Sequence, residues 1–155
     1  MTVSPNAAGG ARYSIGIDVG TGSARAGLFD LSGRMLASAK RDIRMWREAG
    51  SIVEQSSADI WAAVCASVRE VVSTAGIHPG AVAGIGFDAT CSLVVLGQGG
   101  YPLAVGPSED PARDIIVWMD HRAIDQADRI NAGGHAVLRH VGGRISPEMQ
   151  TPKLL

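Results

Sequence analysis

Alternating apolar and small or polar residues predict three short strands near the start of the chain. Residues 13–18 alternate and end in an acid, 24–29 form a second strand, and 34–44 form a third. The connections are short. Residues 19–23 contain two closely spaced glycines, which permit positive φ and close backbone approach, and 30–33 has the Asp-first, Gly-last order of a type I turn. We therefore expect an antiparallel three-strand meander.

The hydrophobic period changes to that of a helix after Ser57, which can cap the helix start. Gly76 is expected to end this helix. The apolar positions that recur at helical spacing are Ile60, Val64, Val68, Val71 and Ala75. A long helix after a meander indicates a crossover to a parallel strand, and hence an α/β fold with a mixed sheet covered by helices.

The second half of the chain consists of shorter elements. Residues 82–87 predict a buried strand that ends at Asp88, and 92–96 predict its short partner. Residues 114–119 predict another apolar strand, and 120–130 a helix with a thin apolar stripe. By contrast, the mixed charges of 40–48 are typical of a solvated rim.

Composition narrows the class of protein. The 155 residues are 46% hydrophobic, with 14 Lys and Arg against 15 Asp and Glu, which favours one compact domain and disfavours bulk nucleic-acid binding. No apolar run approaches the ~20 residues of a membrane span, and Cys65 and Cys91 offer no disulfide framework. We expect a cytoplasmic protein with a disordered leader at 1–12. The apolar ending at 154–155 predicts the front part of a longer protein.

The first candidate site is the turn after the first strand. Asp18 ends the strand, and the Gly-Thr-Gly-Ser run of 20–23 offers backbone N–H groups and two hydroxyls to one point, with Arg25 nearby. Such a concavity suits phosphate oxygens, and Mg²⁺ needs only one or two carboxylates, which Asp18 could supply directly or through water. The alternative is an ordinary hairpin turn that binds nothing.

Two further places carry polar groups at strand ends. Asp88, Ala89 and Thr90 could face a polyhydroxylated ligand, or could form an Asx-type turn between strands. At 118–122, a Trp followed by Asp, His and Arg resembles a sugar site, with a stacking face beside hydrogen-bonding groups. Alternatively, Asp120 caps the helix and Trp118 fills the core. A cap and a ligand contact can use different oxygens, so both interpretations can hold.

Together, these three motifs resemble the FGGY family of carbohydrate kinases, and within it the D-ribulokinase branch. The resemblance covers 13–155 and implies the N-terminal part of an actin-like (ribonuclease H-like) ATPase domain. It also implies ATP and Mg²⁺ as cofactors, and D-ribulose phosphorylated to its 5-phosphate as the reaction. The alternatives are a kinase of another ketopentose or polyol, and a catalytically inactive actin-like module. The expected partners are the sugar and ATP, with a homodimer as a further option.

The resemblance also assigns residues. On the ATP side it implies that phosphates and metal are lined by Asp18, Gly20, Thr21, Gly22 and Ser23, with Arg25 near the transferred group. On the sugar side it implies Asp88, Ala89, Thr90, Trp118, Asp120 and His121. The small Ala89 would leave room for a ketopentose. The family's general base and adenosine pocket would lie beyond Leu155, so we expect the 155-residue chain alone to be inactive.

Overall fold

The computed structural model describes residues 12–155, in which eight strands form two four-stranded sheets. The predicted leader, 1–12, lies outside the described residues except for Arg12. The strands are β1 Tyr13–Val19, β2 Ser23–Asp30, β3 Met35–Asp42, β4 Met45–Glu48, β5 Ile52–Gln55, β6 Val82–Ala89, β7 Leu93–Val94 and β8 Ile115–Ile116. The helices are α1 Ser57–Thr74, α2 Ile124–Ala132 and α3 Gln150–Lys153. Among the described residues, no helix is long and apolar enough to cross a membrane.

The first sheet has the order β3-β2-β1-β6 and is mixed, as predicted. The two hairpins β1–β2 and β2–β3 are antiparallel, which confirms the meander, and β6 joins β1 in parallel. A parallel neighbour requires a crossover, which α1 provides. The register sets Asp18 opposite Arg25 on one side and opposite Asp88 on the other.

One face of this sheet is covered by α1, and the main hydrophobic core lies between them. The helix contributes Val64 and Val71 to the core, and Ile60, Val68 and Ala75 pack against it, which confirms the predicted helix face. The sheet residues buried there are Ile15, Ile17, Ala24, Ala26, Leu28 and Ala39. The cap was predicted one residue late, because the Ser56 side chain, not that of Ser57, accepts from the backbone N–H of Asp59.

The second sheet, in the order β4-β5-β8-β7, corrects two predictions. The stretch 40–48 is not merely a solvated rim, because its end forms β4, which pairs with β5. The 92–96 stretch is not the partner of 82–87, because β7 pairs with β8 instead. The β4–β5 hairpin was not predicted, because its charged residues obscure the alternation of apolar and polar positions. The guanidinium groups of Arg44 and Arg113 both lie over the ring of Trp46, 4.6 and 5.4 Å from its centre.

The prediction that 82–87 is a buried strand is also wrong. Within the described residues, β6 is the edge of its sheet, and Ile85 and Phe87 are 50% and 60% exposed. An apolar strand is typical of a sheet covered on both faces. In this chain α1 packs on β1, β2 and β3, and it leaves β6 uncovered.

The helix predicted at 120–130 begins later, at Ile124, with Ala123 as its first flanking residue. Asp120 therefore does not cap it. The preceding strand is also shorter than the predicted 114–119, because only Ile115 and Ile116 pair with neighbouring strands. The chain between them, 117–123, forms a compact turn that carries the third candidate site.

Candidate functional site

The turn at 20–22 joins β1 to β2 and is closed by a hydrogen bond from the Gly20 N–H to the Ser23 carbonyl, 3.0 Å long. Neither Gly20 nor Gly22 has a positive φ, so conformation does not require glycine at either position. A Cβ on Gly22 would meet no atom within 4 Å, which leaves the peptide open to close approach by a ligand. Ser23, the first residue of β2, is buried.

Four charged residues form a row across the first sheet, next to this turn. The strand register places Lys40, Arg25, Asp18 and Asp88 side by side on successive strands, on the face opposite α1. Arg25 Nη1 donates to Asp18 Oδ2 over 2.5 Å, and both side chains are about half exposed. They line a cavity of about 580 Å³. Of the residues predicted to contact phosphate and metal, Asp18 and Arg25 thus lie together on an open surface.

Thr21 connects this turn to the second sheet. The indole Nε1 of Trp118 donates to the Thr21 hydroxyl over 3.1 Å, and the Gln55 amide donates to the Thr21 carbonyl over 2.7 Å. Trp118 follows β8, and Gln55 ends β5. The structure therefore brings the first and third candidate sites into direct contact, although they are far apart in sequence.

The second candidate site joins the same network. The Thr90 N–H donates to the Val19 carbonyl over 3.1 Å, which extends the pairing of β6 with β1 by one residue. Ser92 Oγ lies 3.2 Å from Thr90 Oγ1 and accepts from the Trp118 N–H over 3.2 Å. Consecutive strand residues face opposite sides, so Ala89 lies away from Asp88. Ala89 lines an apolar cavity of about 260 Å³ beside α1.

Asp120 is fully buried and has protein partners for both carboxylate oxygens. Oδ2 accepts from the Val53 N–H over 2.7 Å, and the Arg122 guanidinium donates to both oxygens. Burial raises the pKa of Asp120, but the hydrogen bonds from Arg122 and Val53 outweigh it and lower the pKa below its usual value. Asp120 therefore holds the turn at 117–123 in place, and its direct contact with sugar stays a prediction.

Arg122 and Glu54 complete this buried network. Arg122 Nη2 lies 2.8 Å from Glu54 Oε1, and Arg113 Nη2 lies 2.7 Å from Glu54 Oε2. Burial lowers the pKa of Arg122, but hydrogen bonds to Asp120 and Glu54 outweigh it and raise the pKa above its usual value. The sequence does not predict that Arg122 joins a buried network, and the signal for its partner is the polar Glu-Gln pair at the end of a strand.

His121 is only half buried, and its Nε2 lies 3.0 Å from Glu148 Oε1, whose carboxylate is equally exposed. Neither Glu148 nor Lys153, which donates to the backbone of the same turn, was singled out from the sequence. In the described part of the chain, no three metal-ligating side chains converge. A divalent cation would therefore rely on one or two carboxylates, with phosphate oxygens and water as its other ligands, which is the usual arrangement for Mg²⁺.

Comparison with known proteins identifies the family of this chain. Residues 13–155 match the model of the N-terminal domain of the FGGY family of carbohydrate kinases. The chain is 52% identical over 144 residues to a human FGGY carbohydrate kinase domain-containing protein, with 93% of this chain and 26% of the relative covered. It is 47% identical over 146 residues to a D-ribulokinase of Saccharomyces cerevisiae, with 93% and 20% covered. The chain thus spans about a quarter of the length of the human relative and a fifth of that of the yeast relative.

A solved structure supports the fold. The xylulose kinase of Rhodospirillum rubrum superposes with a TM-score of 0.78 at 26% identity, over 92% of this chain and 28% of that one. The expected actin-like α/β domain with a mixed sheet is confirmed by this likeness and by the topology of the first sheet.

Proposed function

Because the chain belongs to the FGGY family of carbohydrate kinases, we propose that the protein carrying this domain transfers phosphate from ATP to a hydroxyl group of a pentulose. The substrate we propose is D-ribulose, and the product D-ribulose 5-phosphate. The observation that carries the proposal is the hydrogen bond from Trp118 to Thr21, which joins a sugar-facing segment to a phosphate-facing turn. The likeness to a yeast D-ribulokinase and the small Ala89 favour a ketopentose.

The residues near the turn fit ATP with Mg²⁺. The open peptide at Gly22 would accept phosphate oxygens, with Gly20 and Thr21 beside it, and Ser23 would shape the turn from below. Asp18 would hold the cation, which when bound neutralises phosphate charge. Arg25 now donates to the Asp18 carboxylate. When Asp18 takes the cation, Arg25 becomes available to donate to the transferred phosphoryl group.

On the sugar side, we assign different tasks to different residues. Trp118 offers a half-buried ring for stacking, while His121 and Asp88 present exposed polar groups for hydroxyls. Thr90 and Ala89 would shape the wall at the end of β6. Asp120 would act indirectly, because its hydrogen bonds keep Arg122 and the turn at 117–123 in position. Positioning and charge stabilisation, which these groups provide, dominate phosphoryl transfer.

A substrate panel tests the proposal. The complete protein is assayed with Mg²⁺ and ATP for sugar-dependent ADP release with D-ribulose, L-ribulose, D-xylulose, ribitol and glycerol. We expect the highest kcat/KM with D-ribulose. A higher value with another ketose or polyol would replace the substrate and keep the reaction. No sugar-dependent ADP release with any of them would overturn the kinase proposal in favour of a non-enzymatic actin-like module.

A further inference from the structure

Lys153 places its ammonium group where three backbone carbonyls converge. Its Nζ donates to the carbonyls of Val117 and Trp118 over 2.9 Å each, and to that of Glu148 over 3.1 Å. An ammonium has three N–H donors, so its donor capacity is used completely. Within residues 12–155, Lys153 forms no ion pair with a carboxylate. Its contacts are with the main chain of the turn.

The charge of Lys153 is held in a polar but half-buried setting. Burial lowers the pKa of Lys153, and the negative charge of Asp120 is the largest effect that opposes this. The Val117 carbonyl also accepts from the Asp120 N–H over 2.9 Å. Without Lys153, the Trp118 and Glu148 carbonyls would lose a charge-assisted donor, which is stronger than a neutral one.

Two of these carbonyls belong to the turn that carries Trp118 and His121, and the third belongs to Glu148, whose carboxylate contacts His121. Fixing the peptides on either side of Trp118 sets the direction of its indole, which must reach Thr21. Fixing the peptide after Glu148 sets the carboxylate that contacts His121. A second tether lies one turn earlier, where the Gln150 amide donates to the Cys91 carbonyl in the second candidate site. Hydrogen bonds from the segment 148–153 thus hold both motifs that we propose for the sugar, the one at 88–92 and the one at 118–122.

We propose that Lys153 is a positioning residue for sugar binding, which orients Trp118 and His121 by holding the carbonyls of Val117, Trp118 and Glu148. This inference rests on the proposed function. Lys153 does not reach the turn at 20–22 directly, so its effect on ATP should be small. The charge and the hydrogen-bonding capacity, not the bulk of the side chain, should carry the effect.

The test uses the complete protein with Lys153→Met, Lys153→Gln and Lys153→Arg. We expect Lys153→Met to raise the KM for D-ribulose by about tenfold, while the KM for ATP changes by less than about twofold. Lys153→Gln keeps two donors and Lys153→Arg keeps the charge, so both should recover part of the sugar affinity. The matched control is Arg69→Met, which removes an exposed cation from α1 and should change neither KM.

A double-mutant cycle separates positioning from general stability. If Lys153 acts through Trp118, the increase in sugar KM from Lys153→Met should shrink to less than about threefold in a Trp118→Phe background. If Lys153→Met does not fold, the same cycle is run with Lys153→Gln. Independent, multiplicative effects would overturn the inference, as would equal increases in both KM values or a lower melting temperature with unchanged sugar KM. A wild-type protein that phosphorylates no sugar of the panel would instead overturn the proposed function.

Discussion

The indole Nε1 of Trp118 donates to the hydroxyl of Thr21 over 3.1 Å, although the two residues are 97 positions apart in the chain. Thr21 lies in the turn of the first sheet, and Trp118 follows the last strand of the second. The bond therefore links the turn that we propose for the phosphates to a side chain that we propose for the sugar. It gives a physical route by which occupation of one subsite can influence the other.

Removing either the donor or the acceptor of this hydrogen bond should have the same effect on the KM for the sugar. Trp118→Phe keeps an aromatic face but loses the N–H, and Thr21→Val keeps the shape but loses the hydroxyl. Each should raise the KM for the sugar by roughly three- to tenfold, as expected for one half-buried hydrogen bond. Steady-state kinetics on the complete protein measure the KM for the sugar in each variant. The double variant should be little worse than either single one, and fully multiplicative effects would show that the bond is not shared.

Asp18 is predicted to matter for turnover and not for stability. Its pair with Arg25 is about half exposed, so its loss should change the melting temperature very little. Asp18→Asn should lower kcat by roughly a hundred- to a thousandfold, because the cation loses its carboxylate. Asp125→Asn, an exposed position on α2, serves as the control. A large loss of stability with turnover per folded molecule unchanged would make Asp18 structural.

Arg122 is predicted to matter strongly for stability. Its guanidinium forms ion pairs with two fully buried carboxylates, those of Asp120 and Glu54. Arg122→Met should lower the free energy of unfolding by about 3 kcal/mol, because a buried ion pair that loses one partner leaves an uncompensated charge. Urea unfolding of the complete protein measures the change. Arg34→Met removes an exposed pair with Asp30 and should leave the urea midpoint nearly unchanged.

The same network predicts how stability depends on pH. The pKa of Asp120 is lower in the folded chain than in the unfolded one, so its stabilising contribution is present above the unfolded pKa. That contribution is lost as the pH falls below about 4 and through the folded pKa. In Arg122→Met the guanidinium no longer lowers the pKa of Asp120, while burial still raises it, so stability should fall less on acidification. Melting curves between about pH 3 and 7 compare the two proteins, and identical slopes would contradict this assignment.

The 155-residue chain by itself is predicted to be inactive. The family resemblance places the general base and the adenosine pocket outside it, and loss of a general base alone costs on the order of 10²–10⁴-fold in rate. The purified chain, once circular dichroism has confirmed its helices, is assayed for sugar-dependent ADP release beside the complete protein. Turnover by the short chain would show that the catalytic groups lie within these residues.

The sequence by itself determined the elements with a clear period and the motifs at strand ends. The β1–β3 meander and α1 follow from local alternation and helical spacing, which depend on neighbours along the chain. Asp18, Arg25 and Trp118 could be singled out because each lies near a strand terminus beside small or polar residues, although the same pattern also fits an ordinary turn or a core position. The family resemblance followed from those motifs taken together.

Only the tertiary structure decided which motifs are in contact, and which polar groups form hydrogen bonds within the protein and are therefore not available to a ligand. Pairing between strands distant in sequence, such as β5 with β8, has no local signal. That pairing buries Glu54 with Arg122 and Asp120, so Asp120 is a structural support. Similarly, β6 is an exposed edge because α1 packs on the other strands of its sheet. Burial depends on what packs from elsewhere in the chain, and an apolar or charged run does not specify its partner. For the same physical reason, the sequence does not indicate that Lys153 contacts the carbonyls of Val117 and Trp118, which lie 36 and 35 positions away.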